Sequence, residues 1–501
     1  MSSNHVPSLS ERTAKAGLWT VGGKLFTKCL DFISLLTLAR FLGPGEFGVV
    51  AMAMTAVLIV EAVSEMPLSA ALLNQQTPTD AMYDTAFSIA LLRAFLVVLV
   101  LCALSWPLSL LYNEPRLIAL QCALSFAPAM RGLISQRLVE YTRAMDFRRN
   151  VALDVLGKAG SLAIAVVLAV TTGSYWAIAF ATISTSAIIM IASYILAPQR
   201  IRFSLSEWHL FADMVGWIAG GQTLSAINWQ TDKIVLPRFV DIATFGRFTT
   251  ADALVAIPIQ AIIQPITPPV FSAFIAVRHN GDIGRVYLKA STAVYSFVGS
   301  ILLMMAMLSQ PIIHLVLGSK WEGVSPILTW LALAAAFGYL PTVLLPALAV
   351  ALNRANLAFV KFAIEFCIKI PLIIVLTMAM KLQGMLIGHA ISSALVLFTT
   401  LLLVRRLTRL GILTQLLSLL RPSVALASMA GFLEVASKLF GPHDSELYIF
   451  LNLSWVCSLS LAIFMVTNLA LWRILGCPDG WEAIALNVLR KIVGSKIQRS
   501  H

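Results

Sequence analysis

Charge is scarce in this sequence. Only 12% of its 501 residues are Asp, Glu, Lys or Arg, whereas 59% are hydrophobic, and the mean hydropathy is +0.86. A water-soluble domain carries about twice that charged fraction. A large soluble core is therefore a poor account, and lipid is the solvent that buries this much apolar surface. Cysteine is scarce too: Cys29, Cys102, Cys122, Cys367, Cys457 and Cys477 lie scattered, with no CxxC spacing. That argues for small core residues over a disulfide framework or thiolate metal site. The opening "MSSNHVPSLSERTAKAG" lacks the apolar core of a cleaved signal peptide, so the first spanning helix is expected to stay. The signatures of soluble catalysis are missing as well. There is no Walker loop, no HExxH, no nucleophile elbow and no metal-ligand cluster. We therefore expect no cofactor, no enzymatic activity and no ATP-driven step.

What the sequence has is apolar runs. A membrane span needs about 20 apolar residues, and fourteen segments qualify, at roughly 17–40, 48–73, 84–112, 117–140, 151–172, 174–197, 210–239, 246–275, 287–317, 323–352, 355–380, 383–404, 417–437 and 447–474. Brief turns such as "GPGE", "YNEPR" and "GPHDSE" join them, leaving no room for a soluble domain. The expected fold class is an all-α polytopic membrane protein. The net charge of +12 would suit nucleic acid, but its distribution reads as topology. With the N-terminus in the cytoplasm, the inner loops carry Arg143, Arg148, Arg149, Arg200, Arg202, Arg278, Arg285, Arg354, Arg405, Arg406 and Arg409. The tail adds Arg490, Lys491, Lys496 and Arg499, while the outer turns hold little beyond Arg116, Lys320 and Lys381. This bias puts both termini in the cytoplasm and fits an even number of spans. No nucleic-acid partner is expected.

One turn is written twice. Residues 19–48 align with 217–246 at an offset of 198, without a gap. Trp19, Gly22, Gly23, Leu38, Arg40, Phe41, Phe47 and Gly48 meet Trp217, Gly220, Gly221, Leu236, Arg238, Phe239, Phe245 and Gly246. Ordinary composition would give about two such identities in that length. Six spans separate the copies, so both enter the membrane in the same direction. That predicts a parallel repeat about an axis along the membrane normal, a layout used by alternating-access transporters. The repeated glycines are expected to let helices approach closely, and Arg40 and Arg238 to meet helix C-termini and headgroups.

The run "LTLARFLGPGEFGVVAMAMTAVLIVEAVSEMPLSAALLNQQ" closely resembles the start of the Wzx-type polysaccharide flippases, within the multidrug/oligosaccharidyl-lipid/polysaccharide superfamily. "NWQTDKIVLPRFVDIATFGRFTTA" and "VLGSKWEGVSPIL" resemble further stretches of that family, so the likeness covers about residues 15–410. The resemblance implies two six-helix bundles around a central cavity, plus two C-terminal helices. It implies flipping of an undecaprenyl-pyrophosphate-linked glycan from the cytoplasmic to the periplasmic leaflet of a bacterial inner membrane. A polysaccharide polymerase and a chain-length regulator are the implied protein partners. The expected organisation is a cytoplasmic tail (1–16), a six-helix bundle (17–197), a linker (198–209), a second bundle (210–404), a basic linker (405–416), two further spans (417–474) and a basic cytoplasmic tail (475–501). Two other readings stay open: a multidrug or small-cation antiporter of the same superfamily, and a membrane scaffold for glycan-assembly enzymes.

Charges inside spans are the candidate site residues, because each costs a few kcal/mol unless it lines a polar cavity. Lys24, Lys28 and Asp31 share one face of the first helix. Lys28 lies roughly 15 Å inside it. The set reads as a cationic groove for pyrophosphate or acidic sugars with Asp31 as counter-ion, or as a self-satisfied Lys–Asp pair. Arg131 is the guanidinium placed to hold phosphate. Glu61 and Glu65, one turn apart, can pair with Lys28 or carry a coupling proton. Asp232 is the displaced acid of the second copy. Lys369 completes a one-faced stripe with Lys361 and Glu365. Asp154 and Lys158 read as a helix-stabilising pair.

Overall fold

The computed structural model describes residues 9–66, 68–75, 77–144, 146–200, 202–278, 282–440, 445–476 and 480–483. Every regular element among them is helical. The side chains of Trp19 and Trp217, and the basic tail from Arg490 to Arg499, lie outside the described residues. Two compact units divide the chain, the first running to Thr249 and the second beginning at Thr250. Nine helical stretches among the described residues are long and apolar enough to cross a membrane.

The first unit contains α1 (Leu9–Phe41), α2 (Pro44–Ser64), α3 (Leu68–Asn74), α4 (Asp80–Tyr112), α5 (Arg116–Leu124), α6 (Phe126–Gly132), α7 (Leu138–Arg143), α8 (Arg148–Thr172), α9 (Trp176–Leu196) and α10 (His209–Val235), and the start of α11 (Ile242–Val277). Small residues set its tightest contacts. Gly157 and Gly160 of α8 lie so close to Ile189 and Ile188 of α9 that a Cβ would come within 2.5 and 2.6 Å of them. Gly23 of α1 meets Val151 of α8 in the same way, whereas Gly22 faces open space. Without a hydrophobic drive between helices in lipid, such close backbone approach is the main source of association. The fourth expected span is broken: α5, α6 and α7 replace one helix. Pro128 lies inside α6, and the chain leaves helical geometry at Leu133.

The twice-written turn explains itself in the structure. A Cβ on Gly48 would lie 2.2 Å from the Ile242 carbonyl oxygen, and one on Gly246 would lie 1.8 Å from the Pro44 oxygen. At the offset of 198, Pro44 is the counterpart of Ile242. The contact is therefore reciprocal between the two copies of the turn. Only glycine fits at either place. Each copy also carries its own carboxylate cap. The Gly43 N–H donates to Glu46 Oε2 at 3.0 Å, and the Thr244 N–H donates to Asp241 Oδ2 at 2.9 Å.

The second unit continues α11 and adds α12 (Ile283–Met307), α13 (Ser309–Val316), α14 (Ser325–Ala334), α15 (Leu345–Ala351), α16 (Ala355–Thr408), α17 (Ile412–Ser437) and α18 (Glu446–Ile474). α12 is its core, packed on α14 and α17. Between α14 and α15 the chain widens into a π-turn at Ala335–Tyr339, then tightens into a 3₁₀ turn at Leu340–Thr342. Pro341 and Pro346 remove backbone donors just there, which is a recognised cause of a kink. One non-helical residue, Lys381, splits α16. Beyond it Gly384 and Gly388 pack against Leu376 and Ile373, so the two halves run back along each other. After α18, Trp481 rests on Phe297, and the buried Glu482 accepts hydrogen bonds from Arg421 and Asn468.

Candidate functional site

A cavity of about 400 Å³ opens in the first unit, lined by Leu58, Glu61, Ala62, Glu65, Met66, Arg93, Arg131 and Gly132. Each charged side chain arrives on a different part of the fold. Glu61 sits in the last turn of α2, Glu65 just beyond it, and Arg131 in the last turn of α6. Arg93 lies 13 residues along α4, or about 20 Å from its first residue. Arg131 Nη2 donates to Glu61 Oε2 at 2.8 Å. Arg93 donates from Nε to Ser64 Oγ at 3.4 Å and from Nη2 to the Glu61 carbonyl oxygen at 3.3 Å. Two guanidiniums and two carboxylates thus share one cavity inside an apolar unit. Guanidinium edges match the paired oxygens of phosphate or carboxylate.

Three of the expected site residues, Glu61, Glu65 and Arg131, are therefore brought together. Arg93 is the member that the sequence reading passed over. Its signal was available: it is the one charge in "AFSIALLRAFLVVLVLCAL", inside the most apolar span among the described residues. A lone charge at such a place is functional by default.

A second group forms where α1 packs on α8. Lys158 Nζ lies 2.5 Å from Asp31 Oδ1, and Lys28 Nζ lies 3.7 Å from Asp31 Oδ2. Asp154 interacts electrostatically with Lys158 and Lys24. The charges form a ladder of alternating sign across two helices. Lys158, expected to pair with Asp154, also bridges to α1. Lys24 is exposed, and Lys28 and Asp31 are half-buried. Asp232 is buried in α10, which packs against α2.

In the second unit, Lys361 Nζ lies 2.8 Å from Glu365 Oε2, and both Lys361 and Lys369 are buried. The stripe read from sequence is a fact of the helix. Its pairing runs along α16.

The geometry can now be set beside known proteins. The polysaccharide biosynthesis protein family matches residues 37–326, more than half the chain. The chain belongs to that family. It is 25% identical over 335 residues to the succinoglycan biosynthesis transport protein ExoT of Rhizobium meliloti (strain 1021), covering 66% of this chain and 67% of the relative. It is 19% identical to the lipopolysaccharide biosynthesis protein WzxC of Escherichia coli (strain K12), covering 64% and 66%. The chain thus spans about two thirds of the curated relatives it matches. Among solved structures, the lipid II flippase MurJ in an inward closed conformation aligns at TM-score 0.70 and 15% identity, over 91% of this chain and 99% of MurJ. An inward-facing multidrug resistance MATE transporter aligns at TM-score 0.56 and 14% identity, over 80% and 95%. The fold is the MurJ and MATE fold, and these relatives are transport and biosynthesis proteins, not enzymes. The protein is a multi-pass membrane protein of polysaccharide biosynthesis.

Proposed function

We propose that this protein is a flippase for a lipid-linked oligosaccharide in surface polysaccharide assembly. In this reading it carries an undecaprenyl-pyrophosphate-linked glycan from the cytoplasmic to the periplasmic leaflet of the bacterial inner membrane, with both termini cytoplasmic. Transport proceeds by alternating access coupled to an ion gradient. The observation that carries the reading is the pair Arg93 and Arg131 at a cavity deep along α4, in a chain of this family. Guanidiniums held within an apolar span are costly to keep and suit an anionic headgroup. Lys28 and Lys24, on α1, extend the cationic surface. Lys369, buried in the described state, joins that set only when its helix moves. Asp31, Glu61, Glu65, Asp232 and Glu365 balance these cations, and Glu65, with no ion pair among the described residues, is the best placed to carry a coupling ion. Polymerase and chain-length regulator are the expected partners on the same assembly route.

Glu65 also gives the antiporter reading its one point of support, since an open carboxylate suits a cationic drug. Deletion of the gene separates the two. A flippase predicts loss of surface polysaccharide and accumulation of lipid-linked oligosaccharide, both reversed by the wild-type chain. Unchanged glycan with new sensitivity to cationic drugs would replace the flippase by the antiporter.

A further inference from the structure

We propose that the cavity of the first unit is an anion-exchange site, in which Glu61 is a resident carboxylate that an incoming oxyanion displaces from Arg131. The flippase reading supplies what the oxyanion is attached to, but the exchange rests on the geometry alone.

The pairing of Arg131 is incomplete. A guanidinium presents Nε and Nη2 as a two-pronged edge that fits both oxygens of a carboxylate or phosphate. Arg131 spends only Nη2 on Glu61, at 2.8 Å, and its Nε–H is buried with no hydrogen-bond partner. An orphaned donor of that kind is rare enough to need a reason. Arg93 makes no bond to a carboxylate. Its two contacts, to Ser64 Oγ and the Glu61 carbonyl oxygen, are long and to neutral acceptors, and Nη1 has no hydrogen-bond partner among the described residues. The donors of an oxyanion site are therefore present and half used. The space is present as well, since about 400 Å³ holds roughly a dozen waters.

The resident acids explain how such a site can bind and still let go. Two arginines and two glutamates give the cavity lining a formal charge of zero. An entering oxyanion replaces one carboxylate on Arg131 with another anion, so the guanidinium is never left without a partner in low dielectric. Release is the reverse exchange. Glu61 is thus a specificity residue that weakens binding on purpose, keeping the ligand's residence short. The recognised chemistry is a phosphate or sugar carboxylate, and a lipid pyrophosphate and an acidic sugar both supply it.

The test uses the purified full-length protein in nanodiscs, with inorganic pyrophosphate and methyl glucuronide as separate calorimetric probes. Wild type should bind at least one. Glu61→Gln should bind that probe about tenfold tighter or more, because the competitor is gone. Arg131→Gln should abolish binding, and Arg131→Lys should weaken it by losing the fork. The preferred probe assigns the source, pyrophosphate for the carrier lipid and glucuronide for the glycan. If Glu61→Gln does not purify, Glu61→Asp reads the same effect at smaller size, since its carboxylate withdraws from Arg131. Affinity unchanged or weakened in the Glu61 variants, binding that survives Arg131→Gln, or no binding of either probe to wild type would overturn the exchange. These results are independent of the deletion phenotype. Normal export loss on deletion with no tightening in Glu61→Gln removes the exchange and leaves the flippase.

Discussion

Two of the ion pairs among the described helices are built in opposite ways. Glu61 and Arg131 come from different helices, keep 23% and 38% of their side chains exposed and border a cavity. Lys361 and Glu365 sit one turn apart on α16, with 6% and 19% exposed. The first pair can part without either charge leaving a polar space. The second cannot. Burying a charge is costly, and removing one partner leaves that cost uncompensated. The open pair is thus fit for exchange with a ligand, while the sealed pair belongs to the fold. Charge type and spacing alone do not separate them.

The largest expected effect tests the sealed pair. Glu365→Ala should lower stability by about 3–5 kcal/mol, read as a drop in thermal unfolding temperature, because Lys361 loses its buried carboxylate. Adding Lys361→Met should restore most of that loss. If the double variant is no more stable than the single, α16 is not sealed in the way described, and the contrast between the pairs fails.

The open pair should behave the other way. Arg131→Gln should cost no more than ~1 kcal/mol of stability, as a half-exposed pair does, yet abolish most export of surface polysaccharide at normal protein level. Arg93→Gln should follow it. An unfolding temperature lowered as far as in Glu365→Ala would make Glu61–Arg131 another structural pair.

The α1–α8 ladder lies between these extremes, and its two lysines should divide the roles. Lys158 is the nearer partner of Asp31, at 2.5 Å against 3.7 Å for Lys28. Lys158→Met should therefore lower stability more than Lys28→Met, by about 1 kcal/mol. For export the order should reverse, with Lys28→Arg retaining part of it and Lys28→Glu worst, since like charge then faces the anion. Full export restored by Lys28→Ala with Asp31→Ala would make Lys28 a structural partner only.

The smallest effect concerns the turn after α4. Arg116 Nε and Nη2 donate to both oxygens of Glu114, at 2.7 and 2.8 Å, and hold its carboxyl below the ordinary value of 4.5. A carboxylate depressed in the folded state contributes stability above its unfolded value and loses it as pH falls through the folded one. Wild type should thus lose a little stability below about pH 4.5 that Glu114→Gln lacks. Matching acid profiles would remove the pairing from the stability of this turn.

Much of the fold was legible because the bilayer constrains composition so strongly. The apolar runs announced helices, and the "R-F-x5-F-G" turn was legible as a repeat, but the close approach that only glycine permits at Gly48 and Gly246 was not. The break across α5 to α7 was legible only as a weak span, with Arg131, Arg137 and Glu140 in its run; the packing of α6 on α4 and α9 follows from no local pattern. The cavity was half legible. Glu61, Glu65 and Arg131 stood out as charges in spans, but their convergence depends on how α2, α4 and α6 meet. Lys158 was read only in part for a related reason. Spacing within one helix reveals an i, i+4 partner and conceals one on the next helix.

The central claim is movement of a lipid-linked glycan between leaflets, and sidedness measures it most directly. Spheroplasts of a depleted strain and a wild-type strain, treated from outside with a membrane-impermeant glycan-cleaving enzyme, report which leaflet holds the lipid-linked oligosaccharide. Depletion should leave the accumulated oligosaccharide protected until the membrane is opened, and re-expression should make it cleavable from outside. An oligosaccharide fully cleavable in the depleted strain would contradict the account, because the glycan would have crossed without this protein.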